Sequence, residues 1–249
     1  MPNRHALILS GGRIVLATVI NVILVLVGSA IGLLFKNLIN EKLLSIITHA
    51  LGLCVLGIGV SGMIGTKNML CVIVCMVVGT VIGHVIGIEG RLERGGDLLR
   101  AKVSKGESGS RFTESFVNAS LLFCVGAMAI TGSIEAGLNH NYEIIISKGV
   151  IDGVTSISFA AAMGVGVAFA AIPVLVYQGI LTLLAGWVGP LLPAAVINEM
   201  SAVGGILIVA IAINMLELGK TKIKVGNMLP AMFLPIGYIP LATWLSSLF

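Results

Sequence analysis

Stretches of aliphatic residues long enough to cross a bilayer alternate with short polar breaks along nearly the whole chain. Apolar runs occupy Ile14–Phe35, Leu43–Ile64 and Met69–Ile88, and resume at Phe112–Ala136, Gly153–Pro190, Ala195–Leu218 and Met228–Leu248. A hydrocarbon core about 30 Å thick takes about 20 helical residues, so each run but one predicts a single crossing. Gly153–Pro190 is too long for one at about 1.5 Å per residue. Pro173 lies near its middle and disfavours a continuous helix, which predicts two spans joined by a tight turn. The expected fold class is therefore all-α: a polytopic helical membrane protein of about eight transmembrane helices. A first three-helix unit covers 14–88, a charged connector 89–111, a second three-helix unit 112–191, and two C-terminal helices 195–249. Residues Met1–Arg13 differ in character from the rest of the chain and carry no part of this reading. The first run exceeds the usual signal-peptide core of about 7–15 residues and has no small-residue cleavage motif after it, so it is expected to be retained.

Composition agrees with lipid as the solvent. Of 249 residues, 57% are hydrophobic and 10% charged, against about 25% charged in soluble domains. The mean hydropathy is +1.08. These values exclude a soluble globular enzyme, a disordered chain and a nucleic-acid binder. The net charge of +4 resides in connectors rather than in a binding patch. With eight spans and both termini outside, eleven of the fifteen Lys and Arg fall on one side, in the connectors around 36–42, 89–111 and 220–224; Arg4, Arg13, Lys67 and Lys148 fall on the other. Positive charge is retained on the cytoplasmic side, which predicts a cytoplasmic 89–111 connector. Arg4 and Arg13 oppose this locally. All four cysteines, Cys54, Cys71, Cys75 and Cys124, lie inside apolar runs and read as small buried hydrophobes. Cys71 and Cys75 share a helical face but lack the third and fourth ligands a metal needs, so no metal and no cofactor is expected.

Internal similarity adds a plan. Leu56–Val60 matches Met163–Val167 at an offset of 107, which places the turn Gly65–Asn68 on Ile172–Leu175 around Pro173; Val19-Ile20-Asn21 resembles Phe116-Val117-Asn118 at an offset of 97. Three spans are an odd number, so a second copy enters the membrane in the opposite sense. Such inverted three-helix repeats recur in secondary transporters, with the solute site near the midplane.

Ionisable groups inside a bilayer are expensive and so mark candidate sites. Asp152, Glu199 and Glu135 map to the outer ends of their spans, and Asp152 opens a polar helix start followed by Thr155, Ser156 and Ser158. Lys148, four residues before Asp152, can pair with it on one turn. Each acid has a second reading, as a group reaching the headgroups or, for Glu199, as a helix cap. Asn21, Asn118 and Gln178 are deeper polar groups that either contact a solute or bridge helices. His49 and His84 stand alone on apolar runs and are not read as ligands. Glycines at 28 and 32, and at 79, 83 and 87, form close-packing faces, within the bundle or in a homodimer. The clusters Gly57/Gly59/Gly62/Gly65 and Gly164/Gly166 are dense enough to loosen a helix. Pro235 and Pro240 predict a bent last span, and Trp187, Tyr238 and Trp244 suit interfacial belts.

Several segments, taken together, carry a family resemblance. They are Leu122–Ser133, Lys148–Gly153, Met163–Val167, Tyr177-Gln178-Gly179, Glu199–Gly205 and Val225–Pro230. As a set they resemble the YdfK/YqgA-type bacterial membrane proteins, a family of unknown function sometimes labelled as transporters. The resemblance spans essentially everything after residue 16. It implies a bacterial cytoplasmic membrane, with lipid as the surroundings, and no established substrate.

The functional expectation is a secondary transporter of a small solute or cation, driven by H⁺ or Na⁺. Its candidate binding groups are Asp152, Glu199, Glu135, Asn21, Asn118 and Gln178. The alternatives are a passive channel and a non-transporting sensor or scaffold that docks through 89–111. No nucleophile–base pair, Walker loop or redox motif appears, and an enzyme is not expected.

Overall fold

The computed structural model describes residues 4–36, 41–103 and 109–247. Residues 1–3 of the leader and 104–108 of the charged connector lie outside them. Among the described residues all regular structure is helical. The helices are α1 (Arg4–Lys36), α2 (Glu41–Ile64), α3 (Met69–Ile86), α4 (Ile88–Val103), α5 (Gly109–Cys124), α6 (Ala127–Leu138), α7 (Glu143–Met163), α8 (Gly166–Phe169), α9 (Ala171–Leu183), α10 (Ala185–Val188), α11 (Ala194–Met215) and α12 (Pro235–Ser246), with 3-10 helices at Gly189–Leu191 and Val225–Phe233. Among the described residues, six segments are long and apolar enough to cross a membrane alone; counting two bent pairs, α5/α6 at 56° and the second 3-10 helix with α12 at 43°, as one span each gives up to eight.

The packing gives these spans alternating directions. Asn21, Leu24, Gly28 and Gly32 on α1 meet Gly149, Gly153 and Ile157 on α7 in ascending order, so α1 and α7 run parallel. Gly59 and Gly62 on α2 meet Val209 and Gly205 on α11 in descending order, hence antiparallel. Gly79 and Gly83 on α3 likewise meet Ala231 and Asn227. Phe112 packs against Phe169 with the rings tilted by 59° and their centroids 5.4 Å apart, while Gly137 abuts Thr182 and Ala185. Both halves of the α5/α6 pair therefore follow α8–α9 in one direction, which makes the pair a bent crossing and not a loop that turns back.

Three expectations need correction. The long run 153–190 does not break at Pro173. Pro173 is the third residue of α9, a position where its missing N–H leaves no hydrogen bond unmade. The chain turns instead at Gly164–Val165, where Gly164 has φ 97 and ψ −163, a conformation nearly confined to glycine. Second, α7 starts at Glu143, so Asp152 is not near a helix start; it is buried close to the centre of a 21-residue helix, and Lys148 with it. Lys148 thus leaves the tally of outer charges. Third, the turn match at an offset of 107 fails, because Ile172–Leu175 lie inside α9. The offset of 97 that relates Asn21 to Asn118 places Gly65–Asn68 on the end of α7 and α3 on Gly166–Leu183. The packing does not follow that similarity: α1 lies chiefly along α7, α2 along α11, and α3 along the 3-10 helix Val225–Phe233.

The glycine clusters divide by role. α2 continues through Gly57, Gly59 and Gly62, and the last two serve its contact with α11. Gly28/Gly32 and Gly79/Gly83 are likewise covered by the chain's own α7 and 3-10 helix. A further break, one that no proline marks, falls at Gly126 (φ 140), between α5 and α6. The last span bends at Leu234–Pro235, while Pro240 is accommodated inside α12. Ile73, Val77, Val81 and Val85 form an exposed stripe on α3, as a lipid-facing surface requires. Trp187 and Trp244 are exposed near span ends. Cys71 and Cys75 lie 3.8 Å apart, sulfur to sulfur, inside the apolar core.

Candidate functional site

Where α1, α7 and α9 meet, four polar side chains share one buried network. Lys148 and Asp152, one turn apart on α7, form an ion pair through Nζ and Oδ2. Asn21 Nδ2 on α1 donates to Asp152 Oδ2 at 3.3 Å and to Gln178 Oε1 on α9 at 3.1 Å. Asn21 and Gln178 are fully buried, and Lys148 and Asp152 are each 6% exposed. The approach is tight: a Cβ on Gly149 would lie 3.0 Å from Asn21 Cα. One turn away lie Thr18 on α1 and Thr182 on α9, whose buried hydroxyls, like that of Ser133 on α6, have no hydrogen-bond partner. Ser and Thr inside a helix ordinarily bond the carbonyl one turn back, as Ser156 does to Asp152 at 2.7 Å. Cys124, at the end of α5, is near enough to interact electrostatically with both Lys148 and Asp152.

Two cavities lie between α4 and the rest of the bundle, and none of the four network residues lines either of them. The larger, about 430 Å³, is lined by Glu89, Thr113, Glu114, Asn118, Lys222 and Lys224, among others. Lys222 donates to Glu114 at 2.5 Å, and the buried Asn118 Nδ2 and Thr113 Oγ1 have no partner. The smaller, about 260 Å³, shares Leu92 and Val117 with the first and extends along α5 to Cys124 and Tyr177. Tyr177 adjoins Gln178 in sequence. Asn227 and Asn214 hold the mouth in shape: Asn227 Oδ1 accepts from the Glu89 N–H at 3.0 Å, while Asn214 donates to the Ile223 carbonyl at 2.9 Å and accepts from its N–H at 2.8 Å.

Of the six candidates, then, the fold unites Asp152, Asn21 and Gln178. Asn118 lines the cavity. Glu135 lies near the end of α6, accepting from Asn139 Nδ2 at 2.8 Å. Glu199 is 2% exposed and its oxygens accept from Thr66 Oγ1 at 2.5 Å and the Lys67 N–H at 2.9 Å. It thereby fixes the turn between α2 and α3 to α11, next to the N-cap at Asn68, where a carboxylate is favoured by the helix N-terminus. Thr66→Val removes both the hydrogen bond to Glu199 and the Oγ1 that accepts from the Asn68 N–H at 3.1 Å, and is expected to cost at least about 1.5–3 kcal/mol, read as a lower unfolding midpoint in detergent. Thr18, Ser133 and Thr182 are not among the candidates that sequence reasoning finds. A signal for two of them is nonetheless present: Thr18 and Thr182 stand at i−3 and i+4 from the two buried amides.

Residues 16–239 match the family model described as "Protein of unknown function (DUF554)". The chain is 32% identical over 222 residues to the "Uncharacterized membrane protein YdfK" of Bacillus subtilis (strain 168), covering 88% of this chain and 93% of that one. It is 29% identical over 224 residues to the "Uncharacterized protein YqgA" of Escherichia coli (strain K12), covering 88% and 94%. No solved structure matches it.

Proposed function

Because the chain belongs to the DUF554 family of proteins of unknown function and carries a charged network deep among its spans, we propose that it is a secondary transporter of a small polar solute, coupled to H⁺. The observation that carries this reading is the Lys148–Asp152 pair, buried near the middle of α7 and held by amides from two other spans. Charges cost about 2.5–3.5 kcal/mol each at a span centre on insertion scales, and where present they commonly serve ion or substrate paths. The polar cavity beside α4, lined by Asn118, Glu114 and Lys222, supports the reading by placing charged and amide groups at one face of the bundle. The distribution of Lys and Arg supports a cytoplasmic placement of that face in a bacterial inner membrane. Two units of three spans, 14–88 and 112–191, threaded in opposite senses, would supply the alternation of access. The resemblance of Val19-Ile20-Asn21 to Phe116-Val117-Asn118 supports this for the first span of each unit. Glu199 and Glu135, with their own partners at the other end, fit a positioning role.

Counterflow in proteoliposomes tests the proposal. Vesicles preloaded with one of a panel of unlabelled amino acids, organic acids or metal salts are expected to accumulate the labelled form of one member transiently, faster at acidic outside pH. Ohmic currents in planar bilayers without counterflow would make the protein a channel. Neither current nor counterflow would favour a sensor or scaffold acting through 89–111.

A further inference from the structure

The hydrogen bonds around Asp152 fix which way each amide faces, and they leave donors unused. A carboxylate oxygen only accepts, so the Asn21 atom that meets Asp152 Oδ2 is the amide nitrogen. The same nitrogen meets Gln178, whose facing atom must then be its oxygen. The Gln178 NH2 and Asn21 Oδ1 consequently turn elsewhere, buried and without partners. Lys148 has three N–H donors, and Asp152 takes its one hydrogen bond among the described residues. Spare ammonium and amide N–H groups suit an anion. A carboxylate, with two oxygens, accepts from the Lys148 ammonium with one and from the Gln178 NH2 with the other once that amide turns over toward it.

Resting on the transport reading above, we infer that this network binds a small carboxylate anion, which replaces Asp152 as the counter-ion of Lys148 while Asp152 takes up one proton. The balance closes: the anion brings one negative charge, the proton one positive, and the ammonium keeps its own proton. An O–H bond forms on Asp152, its proton drawn from the aqueous side from which the anion enters. No charge is left buried unpaired, which is the state a low-dielectric interior penalises most. A cation seated on Asp152 would instead lie beside the Lys148 ammonium, with Asn21 Oδ1 as the added unpaired amide acceptor. The other ionisable groups facing the pair are Cys124 on α5 and, next to it, Tyr177 on α9. α6 contributes Glu135, bonded to Asn139, and α2 the exposed Lys42 and His49. α1 carries no ionisable group between Leu16 and Phe35.

The test uses the purified full chain in detergent and weak buffer, with a pH-indicating dye and a thermal unfolding readout. Sodium formate, glycolate and lactate are the probes, and sodium chloride is the comparison. At least one carboxylate is expected to drive saturable uptake of about one proton per chain and to raise the unfolding midpoint. Asp152→Asn mimics the protonated acid: it should take up no proton, yet gain more stability from the same carboxylate, which supplies the missing counter-ion. The double variant K148M/D152N should fold without added anion and show neither response. The inference is overturned if no carboxylate causes proton uptake in the wild-type chain, if chloride does so equally, or if D152N is indifferent to carboxylate. Carboxylate binding with no flux in vesicles would remove the transport reading alone. Counterflow of a cation or neutral solute without carboxylate binding would remove this inference alone.

Discussion

Lys148→Met is expected to destabilise the chain by about 3–5 kcal/mol, because it strands the Asp152 carboxylate in a buried, membrane-embedded position. The double variant K148M/D152N should recover most of that loss. Two neutral side chains of similar volume leave no uncompensated charge, and the introduced amide can still accept from Asn21 through its own carbonyl oxygen. The comparison of single and double variants by thermal unfolding in detergent therefore separates two possibilities. A strongly non-additive pair places the energy in the charge coupling, while additive losses would mean that each side chain matters only for its packing.

The second large effect is expected at the α1–α7 contact. A Cβ on Gly28 would run into the Gly153 carbonyl, and one on Gly32 into the Ile157 carbonyl. Neither obstacle is the end of a flexible side chain, so the helices must separate. Gly28→Ala and Gly32→Ala should each cost at least about 1–3 kcal/mol and should also disturb the network, because Asn21 rides on the same face of α1. Gly57→Ala is the control. That glycine sits in a continuous helix with open space beside it, and alanine there is expected to be neutral or to stabilise by up to about 1 kcal/mol through helix propensity. Unfolding midpoints of the three variants check both statements.

The number and order of the spans were legible in the sequence because a bilayer sets one length for every crossing, and apolar runs report that length directly. The interruptions were legible less well, for a definite reason. Proline announces itself, but Pro173 stands where a helix tolerates it. The actual turn at Gly164 and the bend at Gly126 depend on backbone angles that a glycine permits without advertising. The boundary of α7 is obscured for a related reason. A lysine reads as the edge of a membrane segment, yet Lys148 can lie inside one because Asp152, a turn later, neutralises it. The residue pair was readable from i,i+4 spacing, and its depth was not. That Asn21 and Gln178 reach the same network is a property of how α1 and α9 pack on α7, and no local pattern encodes it. Glu199 shows the converse. As a buried acid at the start of a span it looked equivalent to Asp152, but its partners lie in a turn more than 130 residues earlier in the chain.

The most direct measurement of the central claim is solute counterflow by K148M/D152N in proteoliposomes, beside the wild-type chain and with equal amounts of folded protein incorporated. If the buried pair is the site of coupling, the wild-type chain exchanges its solute while the neutral double variant, though folded, exchanges none. Counterflow at the wild-type rate by that variant would contradict the account and return Lys148 and Asp152 to the role of helix packing.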